Sequence, residues 1–181
     1  MTNFIEISPK ELNESPFKLI GKDWMLITAQ NNHGDVNAMT ASWGGMGVMW
    51  AKDVVYVVIR PQRYTKEFVD ETDKFSLSFF DESYKETLKY FGTVSGRDED
   101  KIVSSGLSVK YENKIPYFDA AKISILCKTL YKQQMKDESF LDEKLLKLWY
   151  PNSDYHTLYI AEIWMKLCAG LSKQWKNAFL V

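Results

Sequence analysis

Two arginines and a threonine lie in the short segment that joins a β-branched strand pattern to a helix pattern. Thr65 can cap a helix over residues 66–71, and Arg60 and Arg63 come shortly before it. The free N–H groups and the dipole of a helix N-terminus favour an anion, and arginine adds bidentate donors. The spacing therefore predicts a phosphate-binding site. The alternative is that Glu67, in the first turn, balances the helix dipole and that the arginines are ordinary exposed side chains.

A second segment, Ser95–Lys101, could contribute to the same anion site. Its composition predicts a turn that leads into a short helix, which Gly106 ends. Ser95, Gly96 and Lys101 could then help to hold the anion. The alternative is a solvated surface, because the segment carries charges of both signs.

The stretch 37–50 could form the surface for a flat ligand with polar edges. It begins as a strand in which apolar residues alternate with asparagine and hydroxyl residues as far as Trp43. It then contains Gly44, Gly45 and Gly47, where the missing side chains allow a sharp turn or close approach to another molecule. The alternative is a plain strand that ends in a glycine turn, with its tryptophans and methionines in the core. Taken alone, the segment favours the alternative.

Common catalytic motifs are missing from the sequence. Residues 45–50 fail the last position of a G-x-G-x-x-G fingerprint, and the chain contains no P-loop, H-E-x-x-H or G-x-S-x-G motif. With two histidines and the isolated Cys127 and Cys168, no zinc site of the usual spacing can be formed. If the protein is an enzyme, we expect a bound cofactor to supply the difficult step.

The composition is that of one globular domain, which we expect to span residues 1–181. The 181 residues are 45% hydrophobic, and the net charge of −1 gives no indication of nucleic acid or an anionic membrane as a partner. The N-terminus lacks the pattern of a signal peptide, and no apolar stretch has the length of a membrane span. Two unpaired cysteines are typical of a reducing compartment, so we expect a cytoplasmic protein.

The elements that must position these residues are mostly strands. Six strands are predicted, at Trp24–Ala29, Val36–Trp43, Val54–Ile59, Phe75–Phe80, Lys122–Lys132 and His156–Lys166. Of these, 54–59 is expected to be buried on both faces, whereas 75–80 alternates with serine and is expected to be half-buried. Helices are predicted at 66–71, at Tyr84–Phe91 with Gly92 as its end, after residue 101, and at Phe140–Trp149 as a packing helix. Because no βαβ alternation is sustained, an antiparallel barrel with peripheral helices is favoured.

Four segments together resemble a known family. They are Asn37-Ala-Met-Thr-Ala-Ser-Trp43, Arg60-Pro-Gln-Arg-Tyr-Thr65, Ser95-Gly-Arg-Asp-Glu-Asp-Lys101 and His156-Thr-Leu-Tyr-Ile-Ala-Glu162. In order and spacing they are similar to the flavin reductase-like FMN-binding family that includes flavoredoxin, over residues from about 20 to 165. The resemblance implies a mainly β fold with peripheral helices, an FMN-binding split β-barrel that is antiparallel and of Greek-key type. It also implies a homodimer with FMN near the interface.

The resemblance assigns site residues one by one. It implies that the flavin and its ribityl chain lie along Asn37, Met39, Thr40, Ala41, Ser42 and Trp43. It implies that the phosphate is held by Arg60, Arg63, Tyr64 and Thr65, with Ser95, Gly96 and Lys101 completing the pocket. His156 corresponds to a histidine near the nicotinamide–flavin stack, and a plain strand-lining histidine is the alternative. No metal site is implied.

The activity implied by the resemblance is hydride transfer from NAD(P)H to flavin. The alternative is an FMN-carrying electron-transfer protein of the flavoredoxin type, which would share every motif and act with a redox partner protein. A third interpretation is a binding or structural barrel without flavin.

Overall fold

The computed structural model describes residues 4–169, and an antiparallel sheet dominates this part of the chain. The strands are β1 (Phe4–Glu6), β2 (Met25–Gln30), β3 (Val36–Ala41), β4 (Gly44–Met49), β5 (Lys52–Ile59), β6 (Lys74–Phe79), β7 (Val109–Glu112), β8 (Ile115–Phe118), β9 (Ile123–Gln134) and β10 (Thr157–Ala169). The main sheet has the order β3-β2-β6-β9-β10-β5-β4, and β1 pairs with β10. The strands β7 and β8 form a separate hairpin. All six predicted strands are present.

The sheet curls round on itself because its two edge strands, β3 and β4, are consecutive in the chain. Laid flat, the seven strands of this order would place the edges about 29 Å apart, at about 4.8 Å per spacing. Only Ser42 and Trp43 connect the edges, so the Cα atoms of Ala41 and Gly44 lie within about 11 Å of each other. Within residues 4–169, no ladder of hydrogen bonds joins β3 to β4. The sheet is therefore a barrel that stays open along one seam, which confirms the predicted fold class.

The glycine run is a strand, so the predicted glycine turn is wrong. β4 pairs with β5 from Gly44 opposite Val57 to Met49 opposite Lys52. Gly44 has a φ of 152°, and a Cβ atom there would collide with the backbone carbonyl oxygen of Tyr56. The ring of Tyr56 lies along the same strand, 3.6 Å from where a Cβ of Gly45 would be. The glycines therefore allow β4 to approach β5 closely, and an aromatic ring covers their bare backbone.

Strand β6 is buried on both faces, so the predicted half-buried strand is wrong. Phe75, Leu77 and Phe79 face the main core inside the barrel, and the serines between them are fully buried as well. The cause is the β7–β8 hairpin, which covers the outer face and was not predicted. Ser76 Oγ donates a hydrogen bond of 2.6 Å to the carbonyl oxygen of Pro116 in β8. Burial of the serines is tolerated because their hydroxyls are satisfied.

The helices lie at the periphery of the barrel. They are α1 (Thr65–Thr72), α2 (Lys85–Thr93), α3 (Lys101–Ser105) and α4 (Glu143–Trp149), with short helical segments at Pro9–Glu11, Lys18–Asp23, Glu82–Tyr84 and Asp137–Ser139. Gly106, at a φ of 68°, ends α3 as predicted. Gly92 lies inside α2 and does not end it. No helix within residues 4–169 is both long and apolar enough to cross a membrane.

Helix α4 does not pack as predicted. None of its residues is buried, and the Leu148 side chain is 69% exposed. Leu141, shortly before the helix, is fully exposed. The apolar face of α4 is thus uncovered in the single chain.

Candidate functional site

A cleft lies where strand β3, the start of α1, the end of α2 and the loop before α3 meet. Its volume is about 160 Å³. It is lined by Asn37, Met39, Gln62, Arg63, Tyr64, Thr65, Thr93, Val94, Ser95, Gly96 and Lys101. The structure therefore brings together eight of the predicted site residues from three separate segments. The predicted residues Thr40, Ala41, Ser42, Trp43, Arg60 and His156 do not line this cleft.

Arg63 is a partly buried cation on one wall of the cleft. It follows the turn after β5, and its guanidinium donates to two backbone carbonyl groups at the end of α2. The distances are 2.8 Å from Nη1 to the oxygen of Gly92 and 3.3 Å from Nη2 to that of Phe91. Burial lowers the pKa of Arg63. These carbonyl groups orient the guanidinium but do not neutralise its charge.

Lys101 is the second cation of the cleft and is buried, with only 3% of its surface exposed. It begins α3, and its Nζ donates to the carbonyl oxygen of Ala38 at 2.6 Å and to that of Phe91 at 3.4 Å. Burial and then the nearby positive charge of Arg63 lower the pKa of Lys101 to about 8. The cleft therefore disfavours this charge as long as no anion is close to it.

Arg63 and Lys101 together form a site that suits a doubly charged anion. Both donate to the carbonyl oxygen of Phe91, so the two cations are close neighbours. Neither forms a salt bridge with a carboxylate within residues 4–169. Buried charges normally have an opposite partner. The donor set therefore fits a phosphate group, which would supply that partner.

Asn37 and Thr65 join β3 to α1 beside the two cations. Asn37 Nδ2 donates to Thr65 Oγ1 at 3.0 Å, and both side chains are buried. Thr65 is the first residue of α1, and the N-cap position belongs to Tyr64. The predicted capping role of Thr65 is therefore wrong, and its hydroxyl serves as the acceptor for Asn37.

The loop before α3 closes the opposite side of the cleft. Ser95 Oγ accepts a hydrogen bond of 3.2 Å from the backbone N–H of Arg97, which fixes the turn. Gly96 packs directly on Asn37, and a Cβ atom there would lie 2.8 Å from the amide carbon of Asn37. A glycine is thus required for the loop to approach β3.

Arg60 lies outside the cleft, although its sequence position predicts a role beside Arg63. Its guanidinium forms an ion pair with Asp154 and donates to the carbonyl oxygen of Trp149 at 2.7 Å. It also lies 5.3 Å from the centre of the Tyr150 ring. The carboxylate of Asp154 therefore already holds this cation, and only one of the two arginines is available to an anion in the cleft.

His156 and Trp43 belong to a separate aromatic cluster. Their ring centres are 5.3 Å apart, and Trp43 also contacts Trp149 edge to face at 4.8 Å. His156 Nδ1 is hydrogen-bonded to the Tyr150 hydroxyl at 2.8 Å. Burial, and then the charge of Arg60, lower the pKa of His156 to about 4, so it is neutral at pH 7. Trp43 is 38% exposed, whereas His156 is buried.

The residues of β3 and its connection that lie between the cleft and the aromatic cluster have mainly structural contacts. Thr40 Oγ1 donates to the carbonyl oxygen of Leu88 in α2, so its hydroxyl is already bonded. Ala41 packs partly against the barrel core. Ser42 lies in the connection between β3 and β4. The predicted run along the ligand is therefore divided, with Asn37 and Met39 at the cleft and Trp43 in the aromatic cluster.

Sequence reasoning missed several residues of these two regions. Gln62 lies between the two predicted arginines and lines the cleft, so its position alone could have indicated it. Thr93 ends α2 and Val94 follows it, and their place at the cleft depends on how that helix packs. Tyr150 was not predicted because the histidine that it contacts lies on another element. Among residues 4–169, no group of three or more histidine, cysteine, aspartate or glutamate side chains is arranged to hold a metal ion.

The seam-open antiparallel barrel, with the cleft beside its edge strand β3, defines the class of split-barrel proteins. The model of the flavin reductase like domain matches residues 18–166, and the chain belongs to this family. A comparison with curated proteins found no match.

Solved structures share the fold at low sequence identity. Flavoredoxin from Methanosarcina acetivorans is 21% identical with a TM-score of 0.62, and the match covers 80% of this chain and 67% of that one. Flavoredoxin of Desulfovibrio vulgaris (Miyazaki F) is 20% identical with a TM-score of 0.63, over 92% and 78%. The styrene monooxygenase flavin reductase from Pseudomonas putida S12 is 19% identical with a TM-score of 0.59, over 80% and 77%. The similar structures thus include both flavin reductases and flavoredoxins.

Proposed function

We propose that this protein binds FMN and transfers hydride from NAD(P)H to flavin. The observation that carries the proposal is the pair of cations in one cleft, the buried Lys101 and the partly buried Arg63, without a carboxylate partner among the described residues. A phosphate monoester carries up to two negative charges and would match them. Family membership supports a flavin as the rest of the ligand. When bound, FMN would supply the acceptor for the hydride.

The protein itself would bind and orient the reactants. Arg63 and Lys101 would hold the phosphate, and Asn37 and Met39 lie at the cleft where they could contact the adjoining ribityl chain. Trp43, which is 38% exposed and lies beside the buried His156, offers an aromatic surface for a planar ring. Holding two rings in one orientation lowers the entropic part of the barrier without acid–base groups.

The size of the cleft supports a ligand that extends beyond it. A volume of about 160 Å³ is below the roughly 300–1,000 Å³ of small-molecule pockets. The cleft is therefore large enough for the phosphate end of FMN only. We propose that the protein is a homodimer and that a second copy covers the remainder, since Val48 and Trp50 on and after β4 are 69% and 57% exposed.

Flavin titration is the first test of this proposal. Purified protein without flavin is titrated with FMN and with riboflavin, and binding is followed by flavin fluorescence. We expect FMN to bind at least about tenfold more tightly, because only FMN carries the phosphate. Equal affinities would contradict the phosphate assignment, and absence of binding would contradict flavin binding altogether.

Steady-state oxidation of NADH and NADPH with added FMN tests the reductase activity. Turnover supports the proposal. No turnover, together with reduction of bound FMN by a redox partner protein, would favour an electron carrier, for which the flavoredoxins of the same fold give a precedent. We place the reaction in the cytoplasm, because both cysteines are free and buried.

A further inference from the structure

The exposed side chain of Arg97 spans the rim of the proposed phosphate cleft, next to the residues that line it. This residue follows Ser95 and Gly96, which line one wall of the cleft. Its Nη1 donates to the carbonyl oxygen of Gln62 at 3.2 Å, and its Nη2 forms an ion pair with Glu67 in α1. Arg97 therefore bridges the loop before α3 and the entry to α1, which are the two walls of the cleft.

A cation–π contact strengthens the same bridge. The Arg97 guanidinium carbon lies 4.6 Å from the centre of the Tyr64 ring, and Tyr64 in turn packs edge to face on Phe68 at 4.9 Å. Such contacts at partly exposed sites are individually weak. Here, three of them act on one side chain whose backbone is already fixed by Ser95 Oγ. Arg97 is therefore held across the rim of the cleft by three side-chain contacts.

The contacts form a closed circuit beside the two cations. Asn37 donates to Thr65, and Thr65 and Glu67 share the first turn of α1. Glu67 pairs with Arg97, and Gly96 packs back on Asn37. The circuit thus runs from β3 through α1 and the loop and returns to β3. A ligand chain that continued past the cations would have to pass through this circuit or open it.

We propose that Arg97 makes the cleft a dead end and thereby selects a flavin with a terminal phosphate monoester over a flavin dinucleotide. The inference rests on the proposed function, because it concerns which flavin the same cleft accepts. FMN ends at its phosphate, whereas FAD continues from the phosphate into a second phosphate and an adenosine. The volume of about 160 Å³ holds only the phosphate end of a flavin, so the extension of FAD would have to leave the cleft past the Arg97 bridge. Arg97 is thus a specificity-determining residue.

The test compares FMN, FAD and riboflavin binding by wild-type protein, Arg97→Ala and a control. In wild-type protein we expect FMN to bind at least about tenfold more tightly than FAD. Arg97→Ala opens the circuit, so the preference should fall by at least about fivefold, chiefly through tighter FAD binding. Arg97→Lys keeps the charge but not the planar fork that reaches both Gln62 and Glu67, and should be intermediate.

The control is Lys89→Ala, which removes the exposed ion pair with Glu86 on α2. It should leave the ratio of FMN to FAD affinity unchanged. Glu67→Gln weakens the bridge from its other end and should move the ratio in the same direction as Arg97→Ala. A thermal melt of each variant checks that it is folded, since a general loss of stability would weaken all three flavins alike.

The outcomes separate the two proposals. If wild-type protein binds no flavin, the proposed function fails. If it binds FMN but binds FAD equally well, or if Arg97→Ala and Glu67→Gln leave the ratio unchanged, FMN binding stands and the dead-end cleft is overturned.

Discussion

At the scale of single residues, Lys101 carries the most information about the site. A lysine that is 97% buried would normally be paired with a carboxylate, yet its nitrogen donates to two carbonyl oxygens and the neighbouring Arg63 lowers its pKa further. An anion that enters the cleft relieves this unfavourable arrangement. The unfavourable free energy of the buried lysine charge is thus removed when an anion binds, and this makes binding tighter.

Arg63→Ala should weaken FMN binding by about 1.5–3 kcal/mol, or roughly 10–150-fold, the scale of a hydrogen bond to a charged group. Riboflavin lacks the phosphate, so its dissociation constant should change little. Both constants are measured by fluorescence titration. Arg60→Ala is the matched control, because Arg60 is paired with Asp154 outside the cleft and its loss should not alter the ratio of the two affinities. An equal loss for FMN and riboflavin in Arg63→Ala would refute the assignment.

The pKa of about 8 for Lys101 predicts that FMN affinity depends on pH. Above that pH, free protein loses the lysine proton, and binding a phosphate dianion must take the proton up again. The FMN dissociation constant should therefore rise by up to about tenfold per pH unit above pH 8 and be nearly constant at about pH 7. Titrations of FMN and riboflavin across this range measure the effect. Lys101→Met should bind FMN weakly and lose the dependence, and a constant affinity in wild-type protein would count against the role of Lys101.

At the scale of elements, the positions of the strands could be predicted from the sequence, but the elements that pack against each strand could not. The β-branched run Val54–Ile59 and the alternating run Lys122–Lys132 predict strands because strand periodicity is local. Burial of Ser76 depends on the β7–β8 hairpin, which is distant in sequence, and no local pattern indicates it. The turn of that hairpin, at Asn113 and Lys114, has positive φ at both residues, and the asparagine was the one available indication.

The candidate site shows the same division. Arg63, Thr65, Ser95, Gly96 and Lys101 were predicted from composition and family resemblance, and the fold brings them to one cleft. The different roles of Arg60 and Arg63, the two arginines before α1, could not be distinguished from the sequence. Their division between an anion cleft and an aromatic cluster depends on Asp154, which comes from the far end of the chain. Long-range charge pairing of this kind leaves no trace in local spacing.

The glycine run in β4 gives a prediction at this scale. Gly44→Ala should destabilise the fold by about 1–3 kcal/mol, because the new methyl group would collide with the Tyr56 carbonyl at a strained φ. Gly45→Ala is the matched control, since its methyl group would meet the Tyr56 ring at an ordinary 3.6 Å. Chemical denaturation of both variants measures the difference. Equal stabilities would mean that β4 can shift away from β5 without cost.

At the scale of the whole molecule, strand β4 and helix α4 are among the places where one chain leaves apolar surface uncovered. Val48 and Trp50 are exposed on one side, and Leu148 is exposed on helix α4. Patches of this kind usually mark contact with another molecule. Since the cleft is too small for a complete FMN, a second copy of the chain would address both observations at once.

Light scattering should therefore give about twice the chain mass of 21.1 kDa at micromolar concentration. Val48→Glu should shift this equilibrium towards the monomer, because it places a charge in the apolar surface of β4. Val103→Glu, at a valine of similar exposure on α3, is the matched control and should remain dimeric. A wild-type monomer at this concentration would contradict the proposed dimer.

The two-residue connection between β3 and β4 has a consequence for how this protein can be redesigned. Ser42 and Trp43 are the only residues between the edge strands β3 and β4, so this two-residue connection limits how far the two edges of the open seam can separate. Elsewhere a longer surface loop adds only a small entropic cost. Residues added between Ser42 and Trp43 would let β3 and β4 move apart and widen the open seam. They would also move the Trp43 indole ring away from His156. Loop grafts or affinity tags are thus better tolerated at the Asn113–Lys114 hairpin tip, which spans no such opening.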